Sequence, residues 1–213
     1  MITIILTTTV NVYKNIDCIF QTNPIDRIYT YLSSILQWLY KTNFNIVVIE
    51  NSGYTFNELA KEKIIFKNRF ECITFNESTL YAAKNVRNLS SKGKHELFAI
   101  NYALYSSKLL QSSSFIIKIT GRFYIPDFEK YINNYNLNEY DCLVQNDRDR
   151  CEIIGSHIKN FSVIFNIKNK WQNETLEFIS KIRTSQYKKI LVCDTFKINE
   201  TQRGGLNETY TTI

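Results

Sequence analysis

Two cations follow an apolar run in the segment "FIIKITGRFYIPDF", residues 115–128. The run predicts a buried strand, and it brings Lys118 and Arg122 to its carboxyl end, on either side of a turn at Gly121. Ligands of open α/β sheets bind beyond the carboxyl ends of the strands. The two cations therefore fit an anion held at that edge. In the simpler alternative, Arg122 pairs with a surface carboxylate and Lys118 reaches water along its aliphatic stem.

Further polar residues follow the other predicted strands. The first strand, residues 2–7, is followed by Thr8, and the second, residues 44–50, ends in Glu50 and continues into Asn51 and Ser52. These side chains could contact a nucleoside, or they could cap the turn between strand and helix.

Lys92 and Gly93 lie in the segment 90–94, "SSKGK", just before a predicted helix. They could contact phosphate or ribose near the start of that helix, or they could belong to a loop without a ligand.

Two carboxylates of the string "DRDR", Asp147 and Asp149, follow the fifth predicted strand. Carboxylates at this spacing could bind Mg²⁺ or Mn²⁺ together with a diphosphate. Alternating charge in a polar segment is equally typical of a solvated turn.

Three residues are candidates for a general base, namely Glu152, His157 and Glu174. Each could instead be an ordinary surface or loop residue. Glu152 is preferred because it comes shortly after the fifth strand, where a second substrate could approach.

Composition restricts the class of protein without selecting a function. The chain has 213 residues, of which 44% are hydrophobic and 22% charged, which is ordinary for one globular domain. The formal charge of +6 suits an anionic partner, such as a nucleic acid, a membrane surface or a phosphorylated small molecule. No run of five basic residues occurs, so a nucleic-acid-binding arm is not indicated.

Cysteine usage and hydropathy predict a soluble, cytosolic protein. The five cysteines are odd in number and form no CxxC, which favours free thiols in a reducing compartment. The apolar N-terminus lacks the basic segment of a signal peptide, and no apolar run approaches the roughly 20 residues of a membrane span.

Common nucleotide and metal motifs are missing from the chain. It contains no GxGxxG, GxxxxGK[ST], HExxH or GxSxG, and its two histidines cannot form a histidine-rich metal site. Classical dinucleotide and P-loop sites are therefore disfavoured.

Strands and helices alternate through the first 145 residues, which predicts a mainly parallel central sheet flanked by helices. The predicted strands are 2–7, 44–50, 70–75, 115–119, 140–146, 160–165 and 188–196. The predicted helices begin near Pro24, Thr55, His95, Pro126 and Gln172. The tail 201–213 shows no core pattern.

The order of these elements resembles nucleotide-sugar glycosyltransferases of the GT-A type. The segments that carry the likeness are "IILTTT", "VVIENSGY", "SSKGKHELFAINYAL" and "FIIKITGRFYIPDF". In particular, the chain is similar to small glycosyltransferase-like proteins of bacteria and large DNA viruses that carry a "KITGR" segment. The likeness runs from Ile2 to about Phe165, and "TQRGG" is a further match.

The chain departs from the family at one point. Many GT-A enzymes end the diphosphate-binding strand in Asp-x-Asp, which holds a divalent metal, whereas this chain has the segment 118–122, "KITGR". A fixed guanidinium can also neutralise the charge that grows on a departing diphosphate. The resemblance therefore implies that Arg122, with Lys118, replaces the metal. The alternative is a Mn²⁺ or Mg²⁺ site at Asp147 and Asp149.

The resemblance implies a glycosyltransferase that moves a sugar from a nucleotide sugar, UDP-linked, to a glycan or glycoconjugate in the cytoplasm, or in the host cytoplasm for a viral protein. Glu152 and Arg122 would be catalytic. The donor would be bound by Thr8, Glu50, Asn51, Ser52, Lys92, Gly93, Lys118, Arg122 and Arg203. Residues 1–200 would form one catalytic domain. Residues 201–213 would form a tail, either a lid over the diphosphate or a disordered terminus.

Two other functions remain open on the sequence alone. A sugar-phosphate nucleotidyltransferase shares the general layout, but such enzymes carry a Gly-rich, Arg-containing loop where this chain has Thr7-Thr8-Thr9. A non-catalytic basic module would bind nucleic acid or an acidic glycan, whereas the transferase needs no nucleic acid partner.

Overall fold

The structure is a computed structural model, and it describes residues 1–13, 16–17, 19–146, 151–166 and 183–213. In chain order the described strands are β1 (Ile2–Thr8), β2 (Asn45–Glu50), β3 (Phe70–Thr74), β4 (Phe115–Thr120), β5 (Cys142–Gln145), β6 (Ile153–His157), β7 (Ile190–Cys193), β8 (Lys197–Gln202) and β9 (Thr209–Thr212).

The described α-helices are α1 (Pro24–Lys41), α2 (Ala60–Ile65), α3 (Lys92–Ser106), α4 (Lys108–Gln111), α5 (Phe128–Ile132) and α6 (Phe161–Ile164). Short 3-10 turns span Asn57–Leu59, Tyr81–Ala83, Leu137–Glu139 and Ile158–Asn160. As predicted, Asn23 caps α1 by accepting a hydrogen bond from the Ile25 amide at 2.9 Å, and Pro24 begins the helix.

Seven strands form one sheet in the order β3-β2-β1-β4-β6-β5-β7. All of its neighbouring pairs are parallel except the two that involve β6, which runs antiparallel to both β4 and β5. The carboxyl ends of β1, β2 and β4 therefore lie at one edge, and the amino end of β6 lies at the same edge. This reversal places Glu152, the residue before β6, beside the end of β4.

Apolar residues cover both faces of the sheet, as the alternation of elements predicts. On one face α1 and α5 contribute Ile35, Trp38 and Phe128, and on the other α3 contributes Leu97 and Ile100. Among the described residues, no helix has the length and apolar character needed to cross a bilayer. The four described cysteines have free thiols.

The strand predicted over 160–165 is wrong. These residues form the end of a 3-10 turn and α6, and Phe161, Ile164 and Phe165 are buried while Ser162 and Val163 are exposed. That spacing is the period of a helix rather than of a strand. The helix predicted from Gln172 to Arg183 lies almost entirely outside the described residues.

The sixth strand is instead β6, and it contains a glycine where neighbouring side chains leave no space. A Cβ on Gly155 would lie 2.8 Å from the Phe115 ring and 3.1 Å from the Cβ of Leu143. Gly155 pairs with Ile117 of β4 and Leu143 of β5, so side chains from both neighbours fill its position.

The tail also differs from the sequence prediction, because it belongs to the core. β8 and β9 form an antiparallel pair, and the backbones of Phe196 and Ile213 exchange hydrogen bonds of 2.6 and 2.9 Å. Ile213 and Tyr210 are buried. The expected division between residues 200 and 201 falls inside β8.

We predict that Gly155→Ala lowers the free energy of unfolding by about 1–3 kcal/mol, the usual cost of overpacking a core. The added methyl group would meet the Phe115 ring, which is itself fully buried. Urea unfolding monitored by circular dichroism measures the change. Asn88→Ala, at an exposed turn, is the control and should change stability by less than about 0.5 kcal/mol. Equal stability of Gly155→Ala and the parent would contradict the packing described for β6.

Candidate functional site

A cavity lies at the edge where β1, β2 and β4 end and β6 begins. It encloses about 1190 Å³, counting its open mouth. Most of the residues predicted to bind a donor or to act in catalysis line it, namely Thr8, Asn51, Lys92, Gly93, Lys118, Arg122, Glu152 and Arg203. The topology of the sheet thus brings together residues that are up to 195 positions apart in the chain (203 − 8).

Arg122 is aimed into the cavity by the turn at Gly121. The Gly121 amide donates a hydrogen bond of 2.9 Å to the Thr7 carbonyl at the end of β1. A Cβ on Gly121 would lie 2.6 Å from that carbonyl oxygen and 2.6 Å from the Thr8 methyl group. Glycine is required here for close approach rather than for a positive φ, which among the described glycines occurs only at Gly53.

The guanidinium of Arg122 lacks an anionic partner. Within the described chain this guanidinium forms neither a hydrogen bond nor an ion pair. Its Cζ atom lies 5.5 Å from the centre of the Phe123 ring. Burial lowers the pKa of Arg122 below its ordinary value. The charge of Arg27 lowers this pKa further, while Tyr31, Glu96 and Glu152 act in the opposite direction. An arginine nevertheless stays charged in proteins, so the cavity contains a cation that no carboxylate of the described chain pairs directly.

Arg27 is a second arginine of the cavity, and no pattern in the sequence predicted it. Its guanidinium donates to the Thr9 carbonyl at 2.5 Å, the Gln21 carbonyl at 2.7 Å and the Tyr31 hydroxyl at 2.7 Å. All three partners are uncharged. These bonds use three of the five N–H groups, which leaves two (5 − 3) for a ligand.

Lys118, in contrast, is held by groups of the protein. Its Nζ lies 2.9 Å from Glu96 Oε1, and it donates to the Cys151 carbonyl at 2.6 Å and to Thr120 Oγ1 at 3.1 Å. The side chain is only 1% exposed. Of the two cations that follow the apolar run, Lys118 is thus neutralised by Glu96, and Arg122 is the one left for an outside anion.

Glu152 presents a carboxylate at the cavity with one unpaired oxygen. Its backbone is fixed because its carbonyl accepts from the Thr120 amide at 2.9 Å and its amide donates to Gln145 Oε1 at 3.1 Å. Its Oε2 is buried and, among the residues that the structure describes, has no hydrogen-bond partner. A buried carboxylate oxygen in this state can accept a proton or a hydrogen bond from a ligand.

Glu50 and Ser52 lie behind the cavity wall and do not line it. Glu50 is fully buried, and its carboxylate accepts hydrogen bonds of 2.9 Å from the amides of Val10, Ser52 and Tyr54 and a further bond from the Ser52 hydroxyl. Ser52 also accepts from the Asn11 amide at 2.9 Å. The hydrogen bonds of Glu50 and Ser52 connect the loop after β1 with the loop after β2. Neither side chain has direct access to a donor in the cavity.

Asn51 is fixed on the cavity wall by a buried charged pair. Its amide donates to Glu77 at 2.9 Å and accepts from the Thr9 hydroxyl at 2.6 Å. Glu77 pairs with His95 Nδ1, while His95 Nε2 lies 2.9 Å from the Leu89 carbonyl. Two acceptors on its two nitrogens indicate an imidazolium ring. Burial lowers the pKa of His95, but the bonds to Glu77 and Leu89 outweigh it and raise the pKa above its ordinary value.

Lys92 and Gly93 belong to the first turn of α3, which begins three residues earlier than predicted. The amino end of this 15-residue helix therefore faces the cavity, and its dipole adds to the positive potential there.

The C-terminal segment covers Arg122. Gly204 lies against the guanidinium so closely that a Cβ there would be 2.8 Å from Arg122 Cζ. The Phe20 amide donates to the Gly204 carbonyl at 2.8 Å, and Arg203 lies 3.2 Å from Glu208. Residues 203–205 of the segment "TQRGG" therefore form one wall of the cavity.

The remaining candidates divide between two places. His157 ends β6 and pairs with Phe115 at the start of β4, so it lies at the opposite edge of the sheet from the cavity. Asp147, Asp149 and Glu174 lie outside the described residues. Over residues 1–146, 151–166 and 183–213, apart from 14, 15 and 18, no three His, Cys, Asp or Glu side chains are grouped so as to hold a metal ion.

No protein-family model matches the chain, and no curated protein matches it in sequence. Solved structures do match its backbone. The galactosyltransferase LgtC in complex with donor and acceptor sugar analogs is similar with a TM-score of 0.53 and 8% identity, over 90% of this chain and 73% of that one. The glycosyltransferase GlyE in Streptococcus pneumoniae TIGR4 gives 0.54 and 8%, over 90% of this chain and 45% of that one.

A third similar structure is a cytidylyltransferase from Leptospira borgpetersenii serovar Hardjo-bovis. Its TM-score is 0.50 at 12% identity, over 99% of this chain and 81% of that one. At such identities the likeness shows the fold alone. The fold is α/β with a mainly parallel sheet and is GT-A-like, which confirms the predicted fold class.

We predict that the pair of His95 and Glu77 makes stability depend on pH. Because the pKa of His95 is raised in the folded state, its contribution is fully present below the unfolded value of about 6.5 and is lost as the pH rises through the folded value. Tyr13, which bonds the Asn51 carbonyl at 3.0 Å, has a pKa raised by burial to about 12 and does not titrate in that range.

The measurement is the free energy of unfolding in urea between about pH 6 and about pH 9. The parent should lose more stability over this interval than His95→Gln does. His157→Gln, at the far edge of the sheet, should retain the loss and serves as the control. Parallel pH profiles for the parent and His95→Gln would show that this pair does not set the dependence.

Proposed function

We propose that the protein is a glycosyltransferase that moves a sugar from a nucleotide-sugar donor, UDP-linked, to a saccharide or glycoconjugate acceptor. The observation that carries the proposal is the unpaired guanidinium of Arg122 in a cavity at the carboxyl edge of a GT-A-like sheet. The fold supports the general kind of enzyme, and the charges of the cavity support the diphosphate.

In this proposal the diphosphate of the donor lies against Arg122. A guanidinium can grip two phosphate oxygens with parallel hydrogen bonds, and Arg27 offers its two remaining N–H groups nearby. The positive charges matter most when the bond to the sugar breaks, because negative charge then grows on the departing diphosphate. Lys92 and the first turn of α3 add to the same potential.

The proposed chemistry needs no metal ion to neutralise the diphosphate. A Mn²⁺ or Mg²⁺ site at Asp147 and Asp149 remains the alternative hypothesis. In the first arrangement the arginines bind the diphosphate, and in the second a metal ion held by Asp147 and Asp149 binds it. Removal of divalent ions should therefore weaken diphosphate binding only in the second arrangement.

Glu152 is the proposed general base for a single displacement. The acceptor hydroxyl oxygen forms the new bond to the anomeric carbon, its proton passes to Glu152, and the bond from that carbon to the phosphate oxygen breaks. The electron pair of the broken bond leaves with the nucleoside diphosphate. Within the described chain the buried Oε2 of Glu152 has no hydrogen-bond partner, so no protein donor competes there for the carboxylate that takes the proton.

A second candidate is a sugar-phosphate nucleotidyltransferase, which the likeness to a cytidylyltransferase over 99% of this chain favours. Such an enzyme joins a nucleoside monophosphate, from a triphosphate, to a sugar phosphate and releases pyrophosphate. An assay for pyrophosphate with nucleoside triphosphates and sugar phosphates separates it from a glycosyltransferase, which releases a nucleoside diphosphate from a nucleotide sugar. A salt-sensitive response to every polyanion, oligonucleotides included, would instead favour a non-catalytic basic module.

The free thiols of the described cysteines agree with a reducing compartment, and the cytoplasm is the proposed location.

Arg122→Gln should weaken the binding of UDP by about tenfold to a hundredfold, since a hydrogen bond to a charged group is worth about 1.5–3 kcal/mol. Isothermal titration calorimetry with UDP measures the change. The matched control is Arg87→Gln, because Arg87 does not line the cavity and its guanidinium donates, within the described residues, to the Ser78 carbonyl alone, at 3.1 Å. Equal weakening by both substitutions, or by neither, would separate Arg122 from diphosphate binding.

Glu152→Gln should abolish sugar transfer while UDP binding persists, because the amide cannot take the proton of the acceptor hydroxyl. Transfer is measured as nucleoside diphosphate released from a panel of nucleotide sugars in the presence of acceptors. Glu139→Gln is the control, because Glu139 is exposed in the turn before the amino end of β5, at the opposite edge of the sheet from the cavity. Unchanged turnover in Glu152→Gln would remove this residue as the base.

A further inference from the structure

A second concavity lies on the other side of Arg122, between α1 and β8. It encloses about 720 Å³, counting the part open to solvent. Arg122 lines both this groove and the donor cavity, so the two are neighbours that share this side chain. We call this concavity the α1–β8 groove.

The α1–β8 groove is lined mainly by neutral hydrogen-bonding groups. One side of α1 supplies Tyr29, Ser33, Ser34 and Gln37, because Ser33 follows Tyr29 by four residues, and Gln37 follows Ser33 by four and Ser34 by three. Glu200 of β8 is the acidic residue of the lining, and its Oε1 already accepts from the Thr209 hydroxyl at 3.0 Å. Hydroxyls and amides in both donor and acceptor roles match a neutral ligand that carries many hydroxyl groups.

Ser34 gives an independent indication of a ligand. It is 2% exposed, and within the described chain its Oγ has no hydrogen-bond partner. Buried hydroxyls in folded proteins are nearly always paired, so an unpaired one that lines a groove is an open position for a ligand hydroxyl.

Tyr29 supplies an aromatic surface at the rim of the groove. Its side chain is 70% exposed, and no other described ring stacks on it. Exposed aromatic rings bind the apolar faces of sugar rings while their hydroxyl end hydrogen-bonds the ligand. A groove with one such ring, several hydroxyls and little charge suits a saccharide better than a nucleotide or a peptide.

We infer that the α1–β8 groove binds a neutral saccharide, and that this saccharide is part of the acceptor. Its role as acceptor rests on the proposed function, because the groove adjoins the donor cavity at Arg122, and the reacting end of the acceptor would have to extend from the groove to Glu152. The binding of a saccharide to the groove does not depend on that function.

The test begins with an array of defined neutral oligosaccharides, followed by titration calorimetry with the strongest binder. Tyr29→Ala should weaken that binder about three- to tenfold through loss of the ring contact. Tyr105→Ala, which removes a tyrosine that is 82% exposed on α3, is the matched control and should leave the affinity unchanged.

Ser34→Ala separates a binding role from a structural one. It should leave the melting temperature unchanged or raise it, because it removes an unpaired buried hydroxyl, yet it should weaken the saccharide about three- to tenfold. A merely structural serine would lower the melting temperature and leave the affinity alone. Both Tyr29→Ala and Ser34→Ala should bind UDP as the parent does, since neither lines the donor cavity.

Binding of no saccharide on the array, or equal affinity in Tyr29→Ala and Tyr105→Ala, would overturn the inference. A different result would contradict the proposed function and leave the groove inference intact. In that case the saccharide binds, Tyr29→Ala weakens it, and UDP does not bind. If UDP binds and no saccharide does, the proposed function stands and the groove is excluded.

Discussion

The proposed site depends on a guanidinium, that of Arg122, which no carboxylate of the described chain pairs directly, although Glu96 and Glu152 line the same cavity. Removing a guanidinium from bulk water is unfavourable unless an anion or hydrogen-bond acceptors replace the water. Lys118 meets this requirement within the chain, through Glu96 and the Cys151 carbonyl. Arg122 does not, and Arg27 beside it makes the position still less favourable for a second cation. A bound diphosphate would supply the direct anionic partner that Arg122 does not have within the described chain.

Several features of the fold are arranged around this charge. The close approach of Gly121 to β1 fixes the point from which Arg122 leaves the sheet, and the segment at Gly204 closes over it. The reversed direction of β6 brings Glu152 to the same edge, and the missing side chain at Gly155 lets β6 fit between β4 and β5. The buried contacts of Glu50 and of Glu77 with His95 hold the loops that form the opposite wall.

Local sequence patterns predicted the elements whose signal is local. The strands β1, β2 and β4 are runs of β-branched and apolar residues, and they were predicted close to their observed bounds. The start of α1 was predicted because the helix carries its own cap at Asn23. β6 was missed because Gly155 and Ser156 interrupt its apolar pattern, and its reason for being a strand lies in its neighbours. The tail was missed because Tyr210 and Ile213 are buried by residues far away in the chain.

The candidate site was predictable to the extent that strand ends converge. Thr8, Asn51, Arg122 and Glu152 meet at one cavity for that reason. Arg27 was not recognisable, because an arginine on an amphipathic helix usually faces water, and only the folded chain shows that it turns inward to Thr9 and Gln21. Glu50 shows the converse, since a carboxylate at the end of a strand can face a ligand or the protein, and sequence does not distinguish the two.

The most direct measurement of the central claim compares the affinities of UDP and uridine by calorimetry with EDTA present. If guanidinium groups hold the diphosphate, UDP should bind at least about tenfold more tightly than uridine without any divalent ion. Equal affinities for the two ligands, or UDP binding that returns only when Mn²⁺ or Mg²⁺ is added, would contradict the account.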